Sequence, residues 1–196
     1  MAKVSYIRAS KDSALLLLGI VEEGESARYT INEAVYTSVG SPAVHSEIGE
    51  RELAVIKYAD ELYRAEKKAL SLLSFADNNE RTLMAKLVRA GFSREVAGEI
   101  CEKMVSLGYI NELRQLERLI LSEANFKLRG PLKIMPALAA KGYSTSDIRR
   151  VISELCERGE LDFDANAERL IEKKLPEDYT DEEKKNLLYR NGYKIC

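Results

Sequence analysis

The sequence is poor in the residues that enzymes most often use. Its 196 residues include one histidine, three cysteines and no tryptophan, and no glycine loop with a following Lys and Ser/Thr is present to cradle a phosphate. His45-Ser46-Glu47 matches the first half of a zinc deaminase signature, but that site also needs a Pro-Cys-x-x-Cys pair, and Cys101, Cys156 and Cys196 are far apart. His45 therefore reads as a loop histidine beside Gly40-Ser41-Pro42 in preference to a metal ligand. No nucleophile-base pair or metal cluster can be assembled from spacing, so neither catalysis nor a cofactor is expected. Few cysteines and the opening Met1-Ala2-Lys3-Val4-Ser5-Tyr6 argue against a secreted disulfide scaffold. The apolar run Ala14 to Leu18 falls far short of the ~20 residues of a membrane span, so a cytoplasmic protein without membrane contact is expected.

What the sequence does hold is 45% hydrophobic and 32% charged residues, enough to bury a core under a charged surface. Thirty Lys and Arg against 32 Asp and Glu leave a formal net charge of -2, so only a local patch could draw in a polyanion.

The first 49 residues read as a β-rich extension. Runs Ser13 to Val21 and Arg28 to Val39 are separated by the turn residues Glu22-Glu23-Gly24-Glu25-Ser26, which predicts a hairpin or small meander. Within the second run, Asn32-Glu33-Ala34 could instead open a short helix, and Gly40 to Gly49 reads as loop. From Glu50 onward the spacing of Leu53, Ile56, Tyr63, Ala69, Leu70 and Leu73 is helical.

An internal repeat organises the remainder. Gly91-Phe92-Ser93 falls on Gly142-Tyr143-Ser144 at a shift of 51 residues, from 91 to 142. The same shift places Leu83 on Ile134, Leu87 on Leu138, Ile100 on Val151, Met104 on Leu155, Gly108 on Gly159 and Ile110 on Leu161. Asn191-Gly192-Tyr193 begins a third match, 50 residues beyond Lys141-Gly142-Tyr143. Each unit reads as three helices: the first over Ala65 to Leu73 or Leu113 to Ala124, the second ending at Gly91 or Gly142, the third capped by Ser93 or Ser144 and ending at Gly108 or Gly159. Asp147 adds capping-box spacing in the second copy only, and Pro136 predicts a second helix that starts late or bends between Pro131 and Pro136. Phe92, Tyr143 and Tyr193 are expected to plug the junction of helices two and three rather than to stack on bases. Cys101 aligns with Ile152 and Cys156 with Val105, which predicts that both are core residues, whereas Cys196 is expected to be exposed.

The predicted organisation is thus mainly α: a β-rich extension over 1–49, three-helix repeats over 50–110 and 111–161, and an incomplete third over 162–196, together an elongated, curved molecule. Charge is uneven along it. No acidic residue occurs from Ala124 through Ser146, while Lys127, Arg129, Lys133 and Lys141 lie inside that window and Arg149 and Arg150 follow it. These six are the candidate binding residues. They read either as a solvated helix face or as contacts to phosphates or to an acidic protein groove, and any nucleic-acid contact would be to backbone.

Leu83-x-x-Lys86-Leu87-x-x-Ala90-Gly91-Phe92, Gly108-Tyr109-Ile110-Asn111-Glu112 and Arg129-Gly130-Pro131-Leu132-Lys133-Ile134, leading to Leu138-x-x-Lys141-Gly142-Tyr143, together resemble the RecX family of recombination regulators. The resemblance covers nearly the whole chain. It implies a modular helical protein, acting as a monomer, that lies in the groove of the RecA-DNA filament and inhibits strand exchange, ATP hydrolysis and co-protease action on LexA. Such a protein damps recombination repair and the SOS response, is not an enzyme, and can touch single-stranded or duplex DNA through phosphates. The family continues into a final helix where this sequence reads Gly192-Tyr193-Lys194-Ile195-Cys196. The alternatives are a helix-turn-helix-like DNA-binding transcription regulator, which three short helices with a glycine turn can imitate, and a helical adaptor for another protein.

Overall fold

A computed structural model describes residues 2–10 and 14–194. Ser13, at the head of the first predicted run, and Cys196 lie outside the described residues. The chain is mainly helical with a small N-terminal sheet. It divides into two compact units, one formed by Met1–Ala76 with Met84–Met104, the other by Asp77–Leu83 with Val105–Cys196.

In the first unit, β1 (Ala2–Ala9), β2 (Leu15–Glu22), β3 (Glu25–Asn32) and β4 (Glu47–Ile48) form an antiparallel sheet of order β3-β2-β1-β4. The predicted hairpin is β2-β3. Glu23 and Gly24 both take positive φ (52° and 88°), the combination whose twist matches two antiparallel strands. β3 ends at Asn32, whose side chain accepts the Val35 N–H and starts α1 (Glu33–Ser38), so the short-helix alternative for the second run is the observed one. Two strands were not expected. β4 pairs only at its two residues within the predicted loop, and β1 carries a bulge between Val4 and Tyr6 that breaks the period-2 pattern by which a strand is read.

One face of the sheet buries Val4, Leu18, Ile20 and Ile31 against Leu53 and Ile56 of α2 (Glu50–Phe75). Buried Asp60 on α2 accepts the Thr30 N–H of edge strand β3 at 2.8 Å and pairs with Arg64 at 2.7 Å. A carboxylate there satisfies an edge donor and is itself neutralised. Against α2 also lies α4 (Arg94–Ser106), tied by Tyr58 to Glu99 and by Lys103 to Glu66. The Glu99 carboxylate holds the Tyr58 phenol, whose pKa is pushed up to about 12.

α3 (Glu80–Arg89) runs from the second unit into the first. The second unit continues with α5 (Glu112–Leu121), a π-helical segment (Ser122–Phe126), α6 (Pro131–Ala140), α7 (Thr145–Glu157), α8 (Phe163–Lys174) and α9 (Asp181–Arg190). The five apolar pairs of the 51-residue shift are buried in both copies. Ser93 and Ser144 cap α4 and α7 by accepting the Val96 and Asp147 N–H groups at 3.3 and 3.1 Å. Tyr143 and Tyr193 are buried as the predicted junction plugs, and Phe92 is half-buried beneath the Arg64 guanidinium.

Two expectations are corrected. α6 does not start late: Pro131 occupies its first turn, where a missing N–H costs nothing, and the helix continues through Pro136 to Ala140. Cys101 is buried, but Cys156 is exposed. Its repeat partner Val105 is 42% exposed, so the repeat holds at the level of exposure while the inference from aliphatic character to burial fails. Partial desolvation of the sulfur within this exposed residue, then the charges of Asp162 and Glu157, push the Cys156 thiol up.

Candidate functional site

Three turns are built alike. After α3, α6 and α9 the chain closes each helix with Gly91, Gly142 and Gly192 at φ of 96°, 100° and 85°. The following aromatic donates its N–H back to a carbonyl five residues earlier, from Phe92 to Leu87, Tyr143 to Leu138 and Tyr193 to Leu188. Two of these turns receive the start of another helix. At the second, Asn79 before α3 donates its side-chain amide to the Lys141 carbonyl at 2.9 Å. At the third, the Gly130 and Leu132 N–H groups at the start of α6 reach the Asn191 and Gly192 carbonyls at 2.8 and 3.0 Å. A side-chain amide before α3 and otherwise orphaned backbone N–H groups at the start of α6 thus stitch one repeat to the next. The tyrosines complete the seams: Tyr193 donates its hydroxyl to the Leu128 carbonyl at 3.2 Å, while Tyr143 reaches Gln115, which in turn donates to the Asn78 carbonyl.

The six candidate cations all lie in the second unit, and they fall into two groups. Lys127 and Arg129 turn inward onto Glu123, at 2.6 and 2.5 Å. The π-helical segment carries Glu123 into the interior, where it is 6% exposed. Burial pushes its carboxyl up, but the Lys127 hydrogen bond and the Arg129 charge outweigh that, and the group titrates below its ordinary value of 4.5. Arg150 bridges Asp147 and Glu154 on its own helix at 2.9 and 3.6 Å. The Asp147 carboxyl is held down by the Ser144 hydroxyl first and by Arg150 next. Lys133, Lys141 and Arg149 are exposed and have no carboxylate partner among the described residues.

Lys133 lies in the first turn of α6 and Lys141 caps its C-terminus, about 12 Å further along the helix axis. The seams add cations that a search for a linear basic run missed. Arg81 packs beside the Gly142 turn next to Lys141, and Arg190 and Lys194 flank the Gly192 turn that Lys133 touches. All three are exposed and lack a described carboxylate partner. Arg190 and Lys194 stand two positions either side of Gly192 in the sequence, whereas Arg81 is far from Gly142 along the chain and no linear signal marks it. His45 is exposed in the loop before β4, and no group of three or more His, Cys, Asp or Glu suited to a metal occurs among the described residues.

Because Glu123 titrates lower in the folded protein than its ordinary value, its stabilisation is complete above that value and fades as pH falls through the folded one. Glu123→Gln is expected to lose about 1.5–3 kcal/mol at pH 7, the range for hydrogen bonds to charged groups. The difference from wild type should shrink on acidification below pH 4.5. Urea unfolding from pH 3 to pH 7 checks this; an equal loss at both ends would remove the ion pair as the cause.

Fold and surface together define a tandem helical-repeat protein that presents unpaired cations along the seams between its repeats. The chain is 28% identical over 152 residues to "Regulatory protein RecX" of Bacillus cytotoxicus, covering 78% of this chain and 55% of that protein. To "Regulatory protein RecX" of Clostridioides difficile it is 32% identical over 111 residues, covering 56% of this chain and 51% of that protein. The chain spans about half the length of these curated relatives. No family model matches it. Among solved structures, "Crystal structure of regulatory protein RecX" superposes with a TM-score of 0.73 at 22% identity over 99% of this chain and 95% of that one. RecX from Lactobacillus salivarius superposes at 0.58 and 20% identity, over 69% of this chain and 90% of that one. The resemblance to the RecX family read from the repeat motifs therefore holds in sequence and in fold. Among the described residues, no helix is long and apolar enough to cross a membrane.

Proposed function

We propose that this chain binds the RecA-DNA filament in its groove and inhibits RecA's strand exchange, ATP hydrolysis and co-protease activity, damping repair by recombination and the SOS response in the cytoplasm without catalysis of its own. The observation that carries the reading is the match to proteins named as RecX regulators. The unpaired cations Lys133, Lys141 and Arg149, with Lys127, Arg129 and Arg150 beside them, support it by offering contacts to phosphates or to acidic protein surface. In this reading residues 1–49 form an extension, and the repeats over 50–110, 111–161 and 162–196 make many shallow contacts in series.

Fluorescence anisotropy with labelled single-stranded DNA tests the partner. The protein is expected to bind DNA coated by RecA, held assembled with a non-hydrolysable ATP analogue, at least tenfold more tightly than bare DNA. Tight, sequence-selective binding to bare duplex would support a transcription regulator instead.

A further inference from the structure

The sheet of the first unit packs one face on α2, and the side chains of its other face are exposed or half-buried. Two features of that outer face cost the sheet stability and act on one residue. In a regular strand Tyr6 would share the core side with Val4, but the bulge at Ser5 sets Tyr6 opposite Gly19 and so turns it outward. Gly19 lies mid-strand between buried Leu18 and Ile20, where glycine is a costly choice. A Cβ there would fall on Cδ1 and Cε1 of the Tyr6 ring. The phenol ring therefore lies across the bare backbone of β2.

Cations stand on both sides of the ring. The Arg8 guanidinium lies 5.2 Å from its centre, and Arg28 is the direct partner of Gly19 on β3. Both arginines are exposed and lack a described carboxylate partner. Among the described residues, the register puts one carboxylate on this face, Glu47, which is held by Lys3 at 3.3 Å. Glu22 turns to the other face, where Lys57 of α2 bonds it at 2.6 Å, and Glu25 is its partner across the hairpin. Glu23 stands in the hairpin turn, and Glu33 opens α1 beyond the end of β3. The middle of the face is thus aromatic and positive, with Leu17 and Val21 half-buried beside Gly19. An extended peptide fits it less well, since a strand would add at the β3 edge, where Asp60 already takes the Thr30 N–H.

We propose that this face binds single-stranded DNA, with one base stacked on the Tyr6 ring and the Arg8 and Arg28 guanidinium groups on the flanking phosphates. Arg8 leaves the ring for a phosphate as the base enters. Every base has a face to stack, so the site reads no sequence, and a base within a duplex is already stacked on its neighbours. The site lies wholly within the strands of the first unit, apart from Lys133, Lys141 and Arg149 of the second, and needs no RecA. The choice of DNA over RNA rests on the proposed function.

Fluorescence anisotropy with labelled oligothymidylate, without RecA, tests this in a full-length background of Lys133→Glu, Lys141→Glu and Arg149→Glu, which removes the other candidate contacts. Tyr6→Ala should weaken binding about tenfold, while Tyr6→Phe, which keeps the stacking ring, should stay within about twofold of its parent. Arg8→Ala with Arg28→Ala, both at exposed positions and so without a change in circular dichroism, should weaken it about tenfold. That pair should also flatten the slope of log affinity against log salt by about 1.4, at roughly 0.7 per phosphate contact. An abasic strand of the same length and charge, and a duplex of the same length, should each bind about tenfold more weakly than the single strand. These effects are expected whether or not RecA-coated DNA is preferred, so failure of the proposed function would leave them in place. An abasic strand bound as tightly as oligothymidylate, oligouridylate bound tenfold more tightly than it, or an arginine pair variant that binds like its parent overturns the proposal.

Discussion

Gly130→Ala is expected to destabilise the protein by about 2–3 kcal/mol, although alanine suits the backbone there. Gly130 has φ of -79° and ψ of 167°, open to any residue, so no strain arises from the substitution itself. Its new Cβ would overlap the Gly192 carbonyl and the Tyr193 nitrogen, which are backbone atoms and cannot rotate aside. The Gly130 and Leu132 hydrogen bonds to Asn191 and Gly192 would open with the shift, adding lost bonds to steric overlap. Gly98→Ala provides the contrast. It sits within α4 with only the end of the Met84 side chain near, at 3.9 Å, so it should gain about 0.5–1 kcal/mol from helix propensity. Urea unfolding of both variants checks the pair, and a Gly130→Ala protein as stable as wild type would mean that the seam contributes little.

The second large effect concerns binding. Lys133→Glu, Lys141→Glu and Arg149→Glu together should weaken binding to the RecA-DNA filament by at least tenfold at low salt and leave the fold intact, since none of the three is engaged by a described carboxylate. If all three meet phosphates of single-stranded DNA, the slope of log affinity against log salt should flatten by about 2, at roughly 0.7 per contact. Reversing Lys127 and Arg129 is a different experiment. It would leave Glu123 buried among like charges, so any lost binding there would come with lost stability. Binding by the triple variant that matches wild type at every salt concentration would retire these three positions as contacts.

Much of the fold was legible because the repeat preserves what local physics needs. A glycine that must close a helix, a serine that caps the next and an apolar face at the same spacing recur together, and Gly91, Gly142, Ser93 and Ser144 do what their types predict. The π-helical segment was not legible, since nothing in Ser122-Glu123-Ala124-Asn125-Phe126 marks it apart from helix, yet it decides that Glu123 is buried and so where Lys127 and Arg129 point. β1 was hidden by its bulge at Ser5. The seams were hidden for another reason: Asn79 and Gly130 fill equivalent places with different groups, one a side chain and the other a backbone donor. A linear window therefore found six cations but could not tell the three neutralised ones from the three free ones, nor include Arg81, Arg190 and Lys194.

The most direct test of the central claim is ATP hydrolysis by the RecA of the same organism on single-stranded DNA, titrated with this protein from one-hundredth to equimolar. A regulator that acts on a filament of many protomers should suppress hydrolysis well below equimolar ratio. Unchanged hydrolysis across the whole range, with the protein folded by circular dichroism, would contradict the claim that it is a RecA filament regulator.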